Sequence, residues 1–444
     1  MPLRVRQPSR RELFSTVAAA GISLGLPRTV AAANPRSSKS VILVNLTGGL
    51  SHLDSLDMKP EAPSEIRGEF SSDSTAVTGI RICDHLPKLG ARMRHWALVR
   101  SMSHRENGHL PGTHRLLTGS PMPNQRQTDL DNILSRRDWP CYAAGLNFFR
   151  PRRDGIPNGV TLPHSLIEGP LTWPGQHGGF LGPQHDPMLV TQDPNSPKFR
   201  MDAFTLPEGT DPSRIEGRKS LLQQLDHGPG DSEFRNHQLR AFEMLTSGRV
   251  ASAFHLDREA AEVRDRYGRN QFGQSLLLAR RLIQAGVPIV QANMGIVQSW
   301  DTHVDNWGRL KNRLLPWLDR ALATLIDELE AEGRLDQTFV AVLGEFGRTP
   351  KVSTLPNEKI PGRDHWASAY SALFAGGGVV GGRVIGATDR IGAYCLTPSY
   401  TPYDVGATIY QMLGINPEQE LRDPQNRPTR VCPGTPMQVL FENR

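Results

Sequence analysis

Histidine beside carboxylate, in loops rather than on apolar helix faces, is the pattern in this sequence best suited to chemistry. There are 14 histidines, and the strongest grouping is Asp301-x-His303-x-Asp305. A carboxylate and an imidazole two apart in a loop can point at one cation, and mixed oxygen and nitrogen donors suit Zn²⁺, Mn²⁺ or Fe. The alternative is a hydrogen-bonded turn in which Asp305-Asn306 caps the next helix. Gly362-Arg363-Asp364-His365-Trp366 is a second such place, with a plain salt bridge as its alternative. Glu345 directly follows an apolar run, where a carboxylate needs a cleft or a cationic partner. Arg348 can be that partner, or it can clamp an anionic substrate group through two parallel hydrogen bonds. Near the amino end, Ser51-His52-Leu53-Asp54 follows Gly48-Gly49, so Asp54 or His52 can enter the same cleft, while Asp57 with Lys59-Pro60 reads as a local turn. The polar segment His104 to Arg115 carries His104, His109 and His114, of which one is expected to serve a metal or an oxyanion and the others to be solvated.

These residues need elements to hold them. Ser40 to Leu46 is a continuous apolar run ending in Thr47-Gly48-Gly49, as a buried strand of a parallel sheet does. Trp96 to Arg100 is a second strand. Helical patterns cover about Asp231 to Ser247, Ser252 to Tyr267 and Gln274 to Gln284, the last closed by Gly286. A strand Val287 to Ala292 follows, then the loop with Asp301 and His303, then a helix to about Glu332 with a break or kink at Pro316. Thr338 to Leu343 is another buried strand, running into Gly344-Glu345. Strand, long crossover and strand make a right-handed βαβ unit. Ligands of such sheets bind beyond the carboxyl ends of the strands, where Asp301, His303 and Glu345 fall. Ser371 to Phe374 reads as one more strand, and Thr401-Pro402-Tyr403-Asp404 opens a helix to Leu413. The stretch from about 140 to 229, dense in Pro, Gly, Asn and Asp, reads as long loops and short elements over the core.

The remaining signals mostly exclude. With 444 residues, 38% hydrophobic and 22% charged, the chain is neither a coiled coil, a collagen nor a polytopic membrane protein. Of the net charge of +6, four units come from the first 33 residues, where Arg4, Arg6, Arg10, Arg11 and Arg28 oppose Glu12. The near-neutral remainder argues against nucleic acid as a partner. That same segment reads as an export leader: Ser9-Arg10-Arg11-Glu12-Leu13-Phe14 resembles the twin-arginine type, an apolar run spans Val17 to Leu26, and Ala31-Ala32-Ala33 precedes Asn34. The run falls short of the roughly 20 residues a membrane span needs, so the mature chain is expected in the periplasm or cell envelope without a transmembrane span. Cys83, Cys141, Cys395 and Cys432 form no Cys-x-x-Cys and allow one or two disulfides in an oxidising compartment. Gly376 to Gly381 matches Gly-x-Gly-x-x-Gly, yet Val379-Val380 and then Gly382-Arg383-Val384-Ile385 read as a hairpin, so no dinucleotide is implied. No Walker loop and no Gly-x-Ser-x-Gly elbow is present.

Taken together, the twin-arginine leader, NLTGGLSHLDSLDMKP, HLPGTHRLLTG, WDTHVDN, GEFGRTP, GRDHW and TPYDVGATIYQMLGINPEQELRD resemble the bacterial family called domain of unknown function 1501. That family looks like a branch of the alkaline phosphatase and sulfatase superfamily. The resemblance spans about Val41 to Leu440. It implies an α/β fold with a central, mostly parallel sheet and helices on both faces, built as one domain over residues 34–444. It also implies a divalent metal ion (Zn, Mn or Ca) at the strand ends. By motif, Asp301 and His303 look like the superfamily's metal pair, Glu345 stands where a strand-end Asp ligates, His365 looks like the late metal-binding His, and Asp54 is a further ligand candidate. Phe346 replaces the His expected beside the strand-end acid, and His109 stands where sulfatases place their Cys or Ser nucleophile, with Thr113 nearby as a substitute. The implied activity is that of an exported metal-dependent hydrolase acting on a phosphate or sulfate ester, a small molecule or an envelope polysaccharide. In that reading His109, Thr113 and Arg348 are catalytic, and Arg115, Ser51 and His52 bind substrate. The rival reading is a non-catalytic cell-envelope binding or scaffold protein that keeps the fold.

Overall fold

In the computed structural model the described residues are 39–123, 136–201 and 248–442, with 217, 220 and 221. The expected leader and the helix over Asp231 to Ser247 lie outside them. Residues Lys39–Arg444 form one compact unit. Its centre is an eight-stranded sheet built from β1 (Ser40–Asn45), β2 (Trp96–Met102), β3 (Gly159–Leu162), β4 (Met188–Leu189), β5 (Ile289–Asn293), β6 (Thr338–Leu343), β9 (Tyr370–Ala375) and β10 (Arg383–Ile385). A separate ribbon pairs β7 (Gly347–Arg348) with β8 (His365–Trp366). The sheet order is β10-β2-β9-β6-β1-β5-β3-β4. Every pairing is parallel except the two that β9 makes, with β6 and with β2. The sheet is therefore mostly parallel, as expected, with one reversed strand.

Alternation along β1 sends its side chains into two separate cores. Ile42 and Val44 pack with the helices α3 (Gln271–Gln284) and α4 (Leu315–Ala331), and Val41 and Leu43 with α1 (His109–Thr118), α2 (Tyr142–Phe149) and α5 (Pro402–Met412). A strand buried on both faces has to be apolar throughout, which is why a parallel-sheet strand is legible as an unbroken run. Each such aliphatic side chain contributes about 1.5–3 kcal/mol by leaving water.

Local chemistry sets the helix ends. The Asn270 side chain accepts from Gly273 N–H at 3.0 Å to start α3, and the Asp404 carboxylate accepts from Thr401 N–H at 2.8 Å to start α5. The expected break at Pro316 appears as a change of helix type: a first turn, Asn306–Arg309, passes through a π-helical stretch, Leu310–Leu314, into α4, which places Pro316 in its first turn, where the missing N–H costs least.

Four further expectations change. The proline-rich region supplies β3 and β4 to the central sheet, because a four-residue buried strand is too short to stand out among Gly and Pro. Arg383–Ile385 does not form a hairpin with the preceding strand; it joins β2 in parallel at the sheet edge. All four cysteines are free thiols, three of them buried, so no disulfide forms among them. Ser252 to Tyr267 is divided into Gly248–Ala253, a 3-10 turn Leu256–Arg258 and Ala261–Tyr267. Among the described residues no helix is long and apolar enough to cross a membrane.

One buried histidine makes stability pH-dependent. His114 Nδ1–H donates to Ser120 O at 3.1 Å, and its Nε2 accepts from Trp139 N–H at 3.2 Å. Only the neutral ring fits both bonds, and burial pushes its pKa down to about 3. Because the folded pKa lies below the unfolded one, this contribution is complete above about pH 6.5 and is lost as pH falls, at up to about 1.4 kcal/mol per pH unit. Denaturant unfolding from pH 7 to pH 4 should show a shallower loss in His114→Gln than in the wild type. Parallel slopes would remove His114 from the account.

Candidate metal centre

The parallel strands all end at one edge, and the loops leaving that edge bring the site together. Thr47-Gly48-Gly49 follows β1, Trp300-Asp301 and His303 follow β5, and Glu345 follows β6. Past β2 the chain turns into α1, whose first residue is His109; the ribbon strand β8 supplies His365. Gly48 and Gly49 have positive φ, and a Cβ on Gly48 would stand 2.6 Å from Asp301 N. Only glycine lets the loops after β1 and β5 close to this distance.

Asp301 lies at the centre. Its Oδ1 is 3.0 Å from His365 Nε2 and 3.1 Å from His303 Nε2, and these two nitrogens are 3.0 Å apart. Its Oδ2 is 3.2 Å from His109 Nε2. Donor atoms of His109, Asp301 and His365 all lie within 4.8 Å of one another. The far nitrogen of each ring faces an oxygen: His303 Nδ1 is 2.6 Å from Asp364 Oδ1, His365 Nδ1 2.7 Å from Asn107 O, and His109 Nδ1 2.8 Å from Glu345 Oε1. Carboxylates and carbonyls only accept, so each ring carries a proton on Nδ1; at Nε2 the Asp301 carboxylate also only accepts, so that position calls for a second proton or a cation.

Neutral rings with Nε2 lone pairs 3.0–3.2 Å from a carboxylate oxygen would repel it, so a proton or a cation belongs between them. The protein's own charges express the same demand. Burial opposes the charged form of His109, yet Asp301 and Glu345 on either side push its pKa up to about 9. Burial likewise opposes the Asp301 carboxylate, yet His109, His303, His365 and Arg348 hold its pKa far below the usual range. Asp301 raises the pKa of His303, whereas burial lowers that of His365. His109 Nε2 lies 3.2 Å from Asp301 Oδ2, a contact that favours the protonated ring. Donors around a four-coordinate ion with bonds of about 2.0–2.1 Å stand about 3.3 Å apart, close to the 3.0–3.2 Å between the Asp301 oxygens and the three Nε2 atoms.

The other sequence candidates lie around this cluster. Glu345 belongs to it through His109 and accepts Gly48 N–H at 2.9 Å. Arg348 is fully buried; it holds Asp301 Oδ1 at 2.5 Å and donates to backbone carbonyls, so it does not face a substrate. Asp54 is not in the cluster. It is fully buried against Arg363, at 2.7 and 3.1 Å, and also accepts from Asn306, Trp307 and Ser51. This set of partners saturates the carboxylate. His52 is buried 2.9 Å from Gly392 O, Arg115 pairs with Glu106 at 2.8 Å, and Thr113 is buried on α1 outside the network. Sequence reasoning gave no role to Trp173, which stacks on His109 at a ring distance of 5.2 Å while Phe346 packs at 5.1 Å. It comes from the proline-rich region, where no spacing marks it. Asp364 was visible only as a neighbour of His365, whereas its partner is His303, 61 positions away.

If Asp364 and Glu345 orient ligands, Asp364→Asn and Glu345→Gln should each weaken metal binding by about 10–100-fold, read by competition with a chelator. Unchanged affinity in both variants would remove that role.

Residues 38–441 match the profile of the family described as "Protein of unknown function (DUF1501)". Curated proteins give no match. Similar solved structures include Ps i-CgsB, at 11% identity over 91% of this chain and 76% of that one, with a TM-score of 0.42. They also include a protein in the alkaline phosphatase superfamily from Vibrio parahaemolyticus, at 10% identity, 85% and 67% coverage and a TM-score of 0.35. A third is the phosphonate monoester hydrolase SpPMH from Silicibacter pomeroyi, at 12%, 91% and 77%, with a TM-score of 0.36. At such scores the similarity carries no argument about activity. With nearly the whole described unit matched by one profile, the chain belongs to the family "Protein of unknown function (DUF1501)".

Proposed function

We propose that the protein is an exported, metal-dependent hydrolase acting on a phosphate or sulfate ester. One observation carries the reading: three imidazoles, each with Nδ1 on an oxygen acceptor, turn Nε2 onto the single carboxylate of Asp301. Burying such costly groups around one point is hard to explain without a cation. His109, His303, His365 and Asp301 would hold it, with Glu345, Asp364 and the Asn107 carbonyl fixing the ring protons. A bound divalent ion supplies Lewis acidity toward an ester oxygen. Three nitrogens and one oxygen suit Zn²⁺, Mn²⁺ or Fe, whereas Ca²⁺ takes six to eight oxygen ligands; the reading therefore drops Ca²⁺. Attack falls to water, because His109 Nε2 faces Asp301 and Thr113 is buried.

A non-catalytic envelope binding or scaffold protein is the second reading. It is favoured by the two arginines expected to act on a substrate, the catalytic candidate Arg348 and the substrate-binding candidate Arg115, since Arg348 bonds to Asp301 and Arg115 to Glu106. A panel of sulfate and phosphate monoesters and diesters separates the two. The expected result is hydrolysis that a chelator abolishes, that Zn²⁺, Mn²⁺ or Fe²⁺ restores and Ca²⁺ does not, and that His303→Ala lacks. No turnover with any loaded ion would favour the scaffold. The export half predicts a mature chain beginning at Asn34 when the full chain is made in a bacterium with a twin-arginine system; an unprocessed cytoplasmic product would remove it.

A further inference from the structure

Arg348 is the largest charged group hidden beside the cluster, and its donors reach further than one salt bridge requires. Its side chain is 0% exposed. Nη1 lies 2.5 Å from Asp301 Oδ1, Nε donates to Gly49 O at 3.0 Å, and Nη2 donates to Gly48 O and, at 3.3 Å, to Trp300 O. Nη1 also reaches Arg363 O at 3.4 Å. One planar guanidinium therefore draws together the loop after β1, the loop after β5 and the turn that leads into β8. Asp301 is held at its backbone as well, where Arg309 Nη1 donates to its carbonyl at 2.7 Å.

We infer that Arg348 is a positioning residue that orients the Asp301 carboxylate for the cation, an inference that rests on the metal-binding reading above. Two facts separate this from generic support. The bond goes to Oδ1, the same oxygen that His303 and His365 face, so it fixes the carboxylate's rotation and leaves Oδ2 toward His109. A guanidinium also has its donors in a rigid plane, whereas an ammonium is a point charge with three freely rotating donors. Arg348→Lys thus keeps the charge and removes the fixed geometry.

The test uses the mature chain stripped with a chelator and titrated with Co²⁺ against a competing chelator, with the visible Co²⁺ spectrum and the thermal midpoint recorded for each protein. Arg348→Lys should bind Co²⁺ about 10–100-fold more weakly and with an altered spectrum. Arg348→Gln, which keeps one amide donor group, should weaken binding in the same direction and serves in its place if the Lys variant does not fold. Lower thermal stability with unchanged affinity and spectrum would make Arg348 a purely structural residue and overturn the inference. Failure of both variants to fold would overturn it too, by placing the role in the fold. A wild-type chain that takes up no Co²⁺ would instead bring down the metal reading itself.

Discussion

A half-buried carboxylate faced by three imidazoles must be given positive charge, and that demand organises this protein around Asp301. Three ring nitrogens face it, and each ring is turned there by an oxygen on its far side. Without those second partners, neutral imidazoles would put a proton toward Asp301 and satisfy it alone. Because Glu345, Asp364 and the Asn107 carbonyl claim the Nδ1 protons, each Nε2 must meet Asp301 with a second proton, the direction in which the raised pKa of His109 points, or with a bound cation. Arg348 supplies one charge through Oδ1, but its remaining donors are spent on backbone carbonyls and not on the space between the rings.

The fold makes such a cluster possible by ending parallel strands at one edge. β6, β1 and β5 are neighbours, so the loops that follow them converge without long excursions. β1 contributes no ligand; it contributes absence of bulk, since Gly48 and Gly49 let the Asp301 loop and Phe346 approach within the space a Cβ would take. A second buried pair, Asp54 with Arg363, fixes the segment that carries Asp364 and His365. The charges near the site therefore form two layers: an inner one around Asp301 and an outer one that fixes the loops. Buried ion pairs of this kind are better understood as fixing geometry than as adding stability.

Much of this was legible in the residues, for identifiable reasons. Strands buried on both faces read as unbroken apolar runs, so β1 and β6 were placed closely, and Asp301, His303, Glu345 and His365 were assigned to one edge. Strand direction leaves no mark on such a run, and the reversal of β9 was invisible. β3, Gly-Val-Thr-Leu, and β4, Met-Leu, were hidden because pieces this short among prolines and glycines carry no period. At the site, residue type was informative and partnership was not. Asp54 looked like a ligand because it follows a strand, but Arg363, 309 positions away, takes its carboxylate. His109 stood out by its place before Leu116-Leu117, but spacing does not reveal that it lies between Asp301, at 3.2 Å, and Glu345, at 2.8 Å.

The hydrolase and the scaffold differ in what the cluster does, yet both depend on whether it holds an ion. The most direct measurement is elemental analysis of the mature protein, purified without chelator, beside the double variant His303→Ala, His365→Ala. The account predicts about one equivalent of a transition metal in the wild type and none in the variant, with both chains folded. A well-folded wild-type chain that carries no metal and binds none when offered it would contradict the account.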